Sequence, residues 1–428
     1  MRRRRAAAAE VFAAAPLPTE KEEVWRYSRI DELDLDRFRP TAPDARPVDA
    51  GPTEVPTRLR PLLDAVGTRA GLVVTEDGGV VAVASDGTGA TVGRAVDLPE
   101  GPERLGSVVG SDAHDFQILN DAFAAEPLVV DVAAGAVMVE PIVVLHLVGG
   151  SRGAATFPRT VVRAGTGSRA AVVELVVDAG AGLLGGVGLQ PDVAAAASDR
   201  ERLVVPVTEL EVADEAELSY VGIQALAHDT WHLGHQVSTI GRDARLRSFA
   251  LAVGGGYARL RTDSSLTGEA GTSELRAAYV GRDEQMLDFR TLQDHAAPRT
   301  VSDLLFMGAV ADRSHSVYSG LIRIRRGAVR ADARQTNHNL VLDEGAHADS
   351  VPNLDIEEND VRCSHGSTVG PVDEDQRYYL ESRGVEPSRA EQLIVAGFFR
   401  EIAGQVPVPG VRPFVDRVLA ERSGVVGG

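Results

Sequence analysis

A thiol and an imidazole lie close together near the end of this 428-residue sequence. Residues 361–366 read Val-Arg-Cys-Ser-His-Gly. If this segment forms a strand, Cys363 and His365 point to the same face, because side chains alternate along a strand. A thiolate and an imidazole so placed suit iron, zinc or copper(I). The competing interpretation is a buried structural role for the cysteine.

This donor pair is incomplete as a site for an iron–sulfur cluster, which usually takes four protein ligands. Cys363 is the single cysteine of the chain, so a self-contained site of four cysteines is excluded. No internal disulfide can form either, which fits a reducing compartment. We therefore expect any cluster bound by Cys363 and His365 to be shared with another chain.

A glycine-rich segment, residues 180–185, matches G-x-G-x-x-G and follows an apolar stretch. The dinucleotide fingerprint requires a helix to begin there. Gly186, Gly188 and Pro191 follow instead and disfavour a helix. We interpret this segment as a turn rather than a nucleotide site.

The densest histidine cluster is His228, His232 and His235. On a helix His228 and His232 would share a face, whereas on a strand His232 and His235 would not. The glutamate of the zinc-protease pattern is missing. The sequence therefore favours surface or core histidines over a metal site here.

Charge and composition exclude several classes of function. The formal net charge is −18, which argues against nucleic-acid binding. Lys21 is the single lysine, and no Gly-Lys-Ser/Thr segment follows a glycine-rich turn, so no P-loop is present. The start of the chain, Met1 to Arg5 and an alanine run, imitates a signal peptide, but Glu10 interrupts it. We expect a cytoplasmic protein without a membrane span.

The elements that must position these residues change character along the chain. From residue 126 to residue 370 the apolar period is two, as where Leu287 and Phe289 oppose Asp288 and Arg290. Such strands without intervening helices exclude a doubly wound α/β fold and suggest a sandwich, barrel or β-solenoid. Their uneven spacing favours the solenoid over a propeller.

The flanking regions are predicted to be mixed or helical. In residues 1–125 we expect a proline-rich linker over 40–61, a hairpin around Asp77 and a helix over 112–125. After Pro371 the period becomes helical, with an apolar stripe that includes Phe398. The predicted division is therefore 1–125, a β core over 126–371 and a helical module over 372–428.

Several ordered motifs in the second half of the chain resemble the SufB/SufD family of iron–sulfur cluster assembly proteins. They are Gln-Thr-Asn-His-Asn-Leu-Val-Leu at 335–342, Pro-Asn-Leu-Asp-Ile at 352–356, Cys-Ser-His-Gly-Ser-Thr-Val-Gly at 363–370 and Tyr-Leu-Glu-Ser-Arg-Gly at 379–384. The form around Cys363 and the Glu-Val-Trp-Arg-Tyr of residues 23–27 resemble the SufD branch.

The resemblance implies a right-handed parallel β-helix flanked by helical segments at both ends. It implies a complex with a SufB-like paralogue and the ABC-type ATPase SufC, which would dock on the helices of residues 372–405. The two β-helices would pair near their C-terminal strands. His365, with Cys363 beside it, would form part of a transient cluster site across that interface. This chain would be a non-catalytic scaffold subunit that binds no nucleotide itself.

Two alternatives remain open at this stage. One is a polysaccharide-active β-solenoid enzyme that uses pairs of Asp or Glu. That function predicts export, against which the doubtful signal segment and the single cysteine argue. The other is that this chain is the SufB-type scaffold itself.

Overall fold

Two parallel sheets form the body of the protein in the computed structural model, which describes residues 1–41, 60–85, 87–108, 115–179 and 201–424. Successive strands alternate between the sheets, so that each turn of chain adds one strand to both. The result is a parallel β-solenoid of about seven turns, which confirms the predicted fold class.

The described strands are β1 Arg39–Pro40, β2 Gly71–Glu76, β3 Gly79–Ser85, β4 Ala90–Arg94, β5 Leu128–Val132, β6 Ile142–Val148, β7 Ala154–Thr156, β8 Arg159–Ala164, β9 Arg169–Asp178, β10 Arg202–Val204, β11 Val207–Val212, β12 Glu217–Ala225, β13 Thr230–Ile240, β14 Arg245–Ala252, β15 Tyr257–Leu266, β16 Thr272–Gly281, β17 Met286–His295, β18 Val301–Val310, β19 His315–Ile324, β20 Asp332–Val341, β21 His347–Ile356 and β22 Arg362–Gly370. The described α-helices are α1 Arg2–Ala14, α2 Arg60–Val66, α3 Gly101–Arg104, α4 Asp115–Phe123, α5 Glu374–Ser382, α6 Pro387–Ala403 and α7 Arg412–Arg422.

Strand order follows the winding of the chain. The first sheet runs β21-β19-β17-β15-β13-β11-β8-β5-β4, and the second runs β22-β20-β18-β16-β14-β12-β9-β6-β2-β3. Pairing is parallel except at β2–β3 and β4–β5. Register partners such as Arg259 and Asp288 are 29 residues apart, and Arg323 and Asp355 are 32 apart. Successive turns of the solenoid are therefore similar in length but not identical.

An aromatic stack fills the interior of the middle turns. The ring centroids of Tyr279 and Phe289 are 4.3 Å apart, those of Phe289 and Phe306 are 5.9 Å apart, and those of Phe306 and Tyr318 are 5.6 Å apart. Such pairs contribute about 0.5–1.5 kcal/mol each beyond the area they bury. Gly308 provides the room, because a Cβ atom there would lie 1.8 Å from Cε2 of Tyr279.

The outer face of the first sheet is covered by an N-terminal segment. Asp288 is fully buried on this face, and its carboxylate accepts hydrogen bonds from Arg259 at 2.7 Å and from Arg290 at 2.6 Å. Burial by itself raises the pKa of Asp288, but the charges of the two arginines outweigh it and lower the pKa below its usual value. The same arginines donate to the carbonyl oxygens of Val24 and Arg26, both at 2.6 Å. Asp288 and Arg290, predicted to share the polar face of β17, thus belong to a buried network of ion pairs.

Local predictions in the N-terminal region are confirmed where the structure describes them. The hairpin is β2–β3, and Asp77 and Gly78 adopt the positive φ values that its turn requires. The predicted helix over 112–125 is α4, with Phe116 and Leu119 buried. Residues 42–59 of the predicted linker lie outside the described residues, as does the glycine-rich segment 180–185.

The C-terminal helices follow the last strand. Asp373 caps α5 by accepting from the backbone N–H groups of Asp375 and Gln376. The cap of α6 is Glu386, which accepts from the N–H of Arg389. Phe399 is buried against the solenoid, whereas Phe398 is only partly buried. No helix within the described part of the chain is long and apolar enough to cross a membrane.

Two buried histidines make stability depend on pH. Burial lowers the pKa of His232 and of His295 to about 4. The ring of His295 is held by the hydroxyls of Thr300 at 2.7 Å and Ser302 at 2.8 Å. In the unfolded chain both imidazoles regain a pKa of about 6.5. The unfolded state therefore binds more protons than the folded state between pH 6.5 and 4.

We expect the free energy of unfolding to fall as the pH falls through this window, by up to about 3 kcal/mol for each histidine. Urea unfolding curves at pH 7.5, 6 and 5 measure it. His295→Gln should reduce the pH dependence between these values, whereas Val139→Ala, at a residue that is 93% exposed and does not titrate, should leave it unchanged. Equal pH dependence in wild type and His295→Gln would contradict the assignment.

Candidate functional site

The C-terminal end of the solenoid is open. Among the described strands, β21 pairs only with β19, and β22 pairs only with β20. The inward-facing side chains of this last turn therefore have no further turn above them. Leu354, Ile356 and Val369 remain 39%, 43% and 43% exposed, although their register partners in the turn below are buried. At this end of the solenoid, side chains of the inward-facing rows are therefore exposed.

Cys363 and His365 both belong to this open end. They lie on β22, so the prediction that they share one strand face is confirmed. Cys363 is the register partner of Ala333, and His365 is the partner of Gln335. Ala333 and Gln335 are buried, so Cys363 and His365 lie in the inward-facing row.

The two side chains differ in their access to solvent. Cys363 is half-buried and packs against a small apolar cluster that includes Ile322 and Ile324. Burial raises the pKa of the Cys363 thiol, and the nearby charge of Asp332 adds to this shift. The thiol is therefore protonated at neutral pH and would have to release its proton to bind a metal. His365 is exposed and reachable by a neighbouring molecule.

An unpaired amide lies in the turn directly below His365. Gln335 is 1% exposed, and neither its amide nitrogen nor its amide oxygen has a hydrogen-bond partner in the described structure. The amide crosses the interior, since a Cβ atom added at Gly320 of the opposite sheet would lie 2.6 Å from its nitrogen. A buried amide without partners costs free energy, which a polar ligand at this end could recover.

The other sequence candidates do not assemble into a site. His232 is buried in β13, His235 lies 3.1 Å from a carboxylate oxygen of Asp263, and His228 lies 3.7 Å from Asp283. One of the three imidazoles is thus a core residue, and the other two each lie beside a separate carboxylate. The sequence analysis did not identify a different group of potential metal ligands, which the pairing of β19 and β21 brings together. The group consists of His315, His347 and Asp349.

An interior cavity of about 60 Å³ lies in the middle turns, lined by residues of β9, β11 to β15 and β17. Glu174 faces it and accepts from Tyr220 at 2.5 Å and from Thr208 at 2.7 Å, and its other oxygen lies 3.0 Å from His146. Burial alone would raise the pKa of Glu174, but the interaction with His146 and the hydrogen bonds from Thr160 and Tyr220 lower it below its usual value. Cys363 and His365 are not among the lining residues of this cavity.

A second exposed surface lies on the C-terminal helices. Helix α5 buries none of its residues, and Tyr378 and Tyr379 are 72% and 57% exposed. Leu393 on α6 is also exposed. Exposed aromatic side chains on a surface helix are typical of a docking surface for a protein partner.

Comparison with known proteins places the chain among cluster assembly proteins. A family model described as the SufBD core domain of the SUF system for FeS cluster assembly matches residues 146–398. SufD of Escherichia coli, named an iron–sulfur cluster assembly protein, is 27% identical over 409 residues, which cover 95% of this chain and 89% of that protein.

Other relatives match over shorter segments. A SufBD family protein of Mycobacterium tuberculosis is 40% identical over 212 residues, which cover 48% of this chain and 53% of that protein. SufD of Bacillus subtilis is 30% identical over 217 residues, which cover 50% of each. These two alignments thus span about half the length of the relatives.

Proposed function

Since this chain belongs to the SufBD family of SUF-system iron–sulfur cluster assembly proteins, we propose that it is a SufD-type scaffold subunit that builds clusters together with partner chains. In this proposal the cluster is cargo, assembled and then passed on. The chain performs no catalysis of its own, and a partner supplies ATP hydrolysis. The polysaccharide-enzyme alternative is disfavoured, because the relatives are named as assembly proteins.

The observation that supports this function is the position of Cys363 and His365 in the inward row of the open end. A thiol and an imidazole there supply two of the roughly four ligands that a cluster needs. The remaining ligands would come from a SufB-like paralogue across the interface. The unpaired amide of Gln335 below His365 fits a polar ligand at this position, since it could donate to a bound sulfide.

The open end also suits the pairing of two solenoids. Its exposed apolar side chains, Leu354, Ile356 and Val369, would be buried by a second solenoid end. This contact would place donors from both chains on either side of one small volume. It would also shield a nascent cluster from water.

The exposed surface of α5 and α6 is the proposed docking site for a SufC-like ABC ATPase. This module follows β22 directly, with only residues 371–373 between the strand and α5. A force applied to α5 by the ATPase would therefore reach the strand that carries Cys363 and His365. ATP binding could bias the open end between two arrangements. We expect the complex in the cytoplasm.

Co-purification of the tagged chain with SufB-type and SufC-type proteins tests both contacts. Tyr378→Ala/Tyr379→Ala should weaken ATPase binding by about tenfold or more, because truncation of an aromatic anchor costs about 2 kcal/mol or more. Ile356→Asp should reduce recovery of the SufB-like chain without affecting the ATPase. Val139→Ala is the matched control, because this residue is 93% exposed and distant in sequence from both proposed surfaces.

Each outcome has a definite meaning. Selective loss of one partner with each variant supports the two proposed surfaces. Full recovery of both partners with all variants would refute the assigned surfaces. Failure of the wild-type chain to bind either protein would refute the scaffold role itself.

A further inference from the structure

A group of three potential metal ligands lies on the outer face of the first sheet, on strands β19 and β21. His315 and His347 are register partners, directly opposite one another, and Asp349 follows His347 by two residues on the same face. One donor atom from each of the three side chains lies within 4.8 Å of the others. The residues are distinct from Cys363 and His365, which lie on β22 and face inward.

We propose that His315, His347 and Asp349 form a binding site for one divalent first-row transition-metal ion. A donor set of two imidazoles and one carboxylate favours such ions over calcium or magnesium. Three protein ligands leave at least one coordination position open to water or to a ligand from another molecule. This site does not depend on the proposed assembly function.

The distances from Asp349 to the two histidines are close to those between ligands of one ion. Nε2 of His315 lies 2.7 Å from one oxygen of Asp349, and Nε2 of His347 lies 3.4 Å from the other. Ligand atoms held about 2.0–2.2 Å from one ion are separated by about 3 to 3.5 Å at the angles usual for these metals. A small rotation that lengthens the 2.7 Å contact between His315 and Asp349 would bring both distances into this range.

The two rings lie close enough to share one ion. The ring centroids of His315 and His347 are 5.1 Å apart, and the carboxylate of Asp349 lies beside both of them. Metal ions bind the neutral form of imidazole, so metal affinity should fall as the pH falls.

Access and surroundings are suitable for binding. The side chain of His347 is 67% exposed, whereas those of His315 and Asp349 are about a third exposed or less, so the ion has an open approach on one side. Val317, the register partner of Asp349, lies beside it on the same face and is fully buried, so the group has an apolar neighbour on one side. An apolar surrounding strengthens the attraction between the ion and its ligands.

Titration of the full-length chain with Zn²⁺ and Co²⁺ tests the site. The background carries Cys363→Ser and His365→Ala, so that binding at the open end does not interfere. Isothermal titration should show one Zn²⁺ bound per chain, and Co²⁺ should give visible d–d absorption. His315→Gln or His347→Gln should lower the affinity by about tenfold or more, since even outer partners of metal ligands contribute 10- to 100-fold.

The control is His228→Gln, which removes another partly exposed histidine that lies near a carboxylate. It should leave the affinity and the Co²⁺ spectrum unchanged. Circular dichroism of each variant checks that the fold is intact. Absence of stoichiometric binding to the background protein, or binding that persists in both His315→Gln and His347→Gln, would overturn the proposal and leave a hydrogen-bonded His–Asp group only.

Discussion

Replacing His365 with alanine is expected to lower the iron and acid-labile sulfide that co-purify with the complex by about tenfold or more. His365 is exposed in the inward row of the open end, where it can reach a cluster held between two chains. Because the side chain is exposed, its loss should change the free energy of unfolding by no more than about 0.5 kcal/mol. A loss of cluster would therefore report on ligation rather than on folding.

The measurement needs a histidine control and a cysteine variant. His338→Ala removes a partly exposed histidine from the neighbouring strand β20 and should leave the cluster content unchanged. Cys363→Ser tests the thiol, which is half-buried and carries a raised pKa. Undiminished iron and sulfide in His365→Ala, with the complex intact, would rule out His365 as a ligand.

Replacing Asp288 with alanine is expected to destabilise the protein by about 3–5 kcal/mol. The carboxylate is fully buried and pairs with Arg259 and Arg290, so its removal leaves two buried cations uncompensated. Tyr257 also loses the acceptor of its 2.8 Å hydrogen bond. The N-terminal segment should loosen as well, because both arginines bind its carbonyl oxygens.

Urea unfolding followed by circular dichroism measures this effect at neutral pH. Asp355→Ala is the matched control, because Asp355 pairs with Arg323 at 3.2 Å on the surface, with both side chains 40% or more exposed. Exposed pairs of this kind contribute about 0–1 kcal/mol. If Asp288→Ala were no more destabilising than Asp355→Ala, the buried network would not be the stabilising feature described.

The outcome for Asp288 and Arg290 shows where sequence reasoning reached its limit. Alternation along β17 correctly separated Leu287 and Phe289 from the polar pair. It could not show that the polar face lies beneath the N-terminal segment, because the contact of Arg290 with the carbonyl oxygen of Arg26 joins residues 264 positions apart. Burial of a polar face depends on a covering segment that leaves no local pattern.

The functional predictions also divide into those that a local motif supports and those that depend on tertiary or partner contacts. The motifs around Cys363 were sufficient to indicate the family, which the family match confirms. The roles of Cys363 and His365 stay predictions, as do the three-part division of the chain and the partner contacts. The hairpin β2–β3 joins the second sheet of the solenoid, so part of residues 1–125 contributes to the β body.

The amino-acid sequence by itself determined the period-two strands and the common face of Cys363 and His365, because side-chain alternation is a local property of extended chain. Only the tertiary structure decided that β21 and β22 end the solenoid and leave that face uncovered. It also decided that His315 meets His347 and Asp349. The physical reason is that register between successive turns is set by packing of the whole interior, which no short segment specifies.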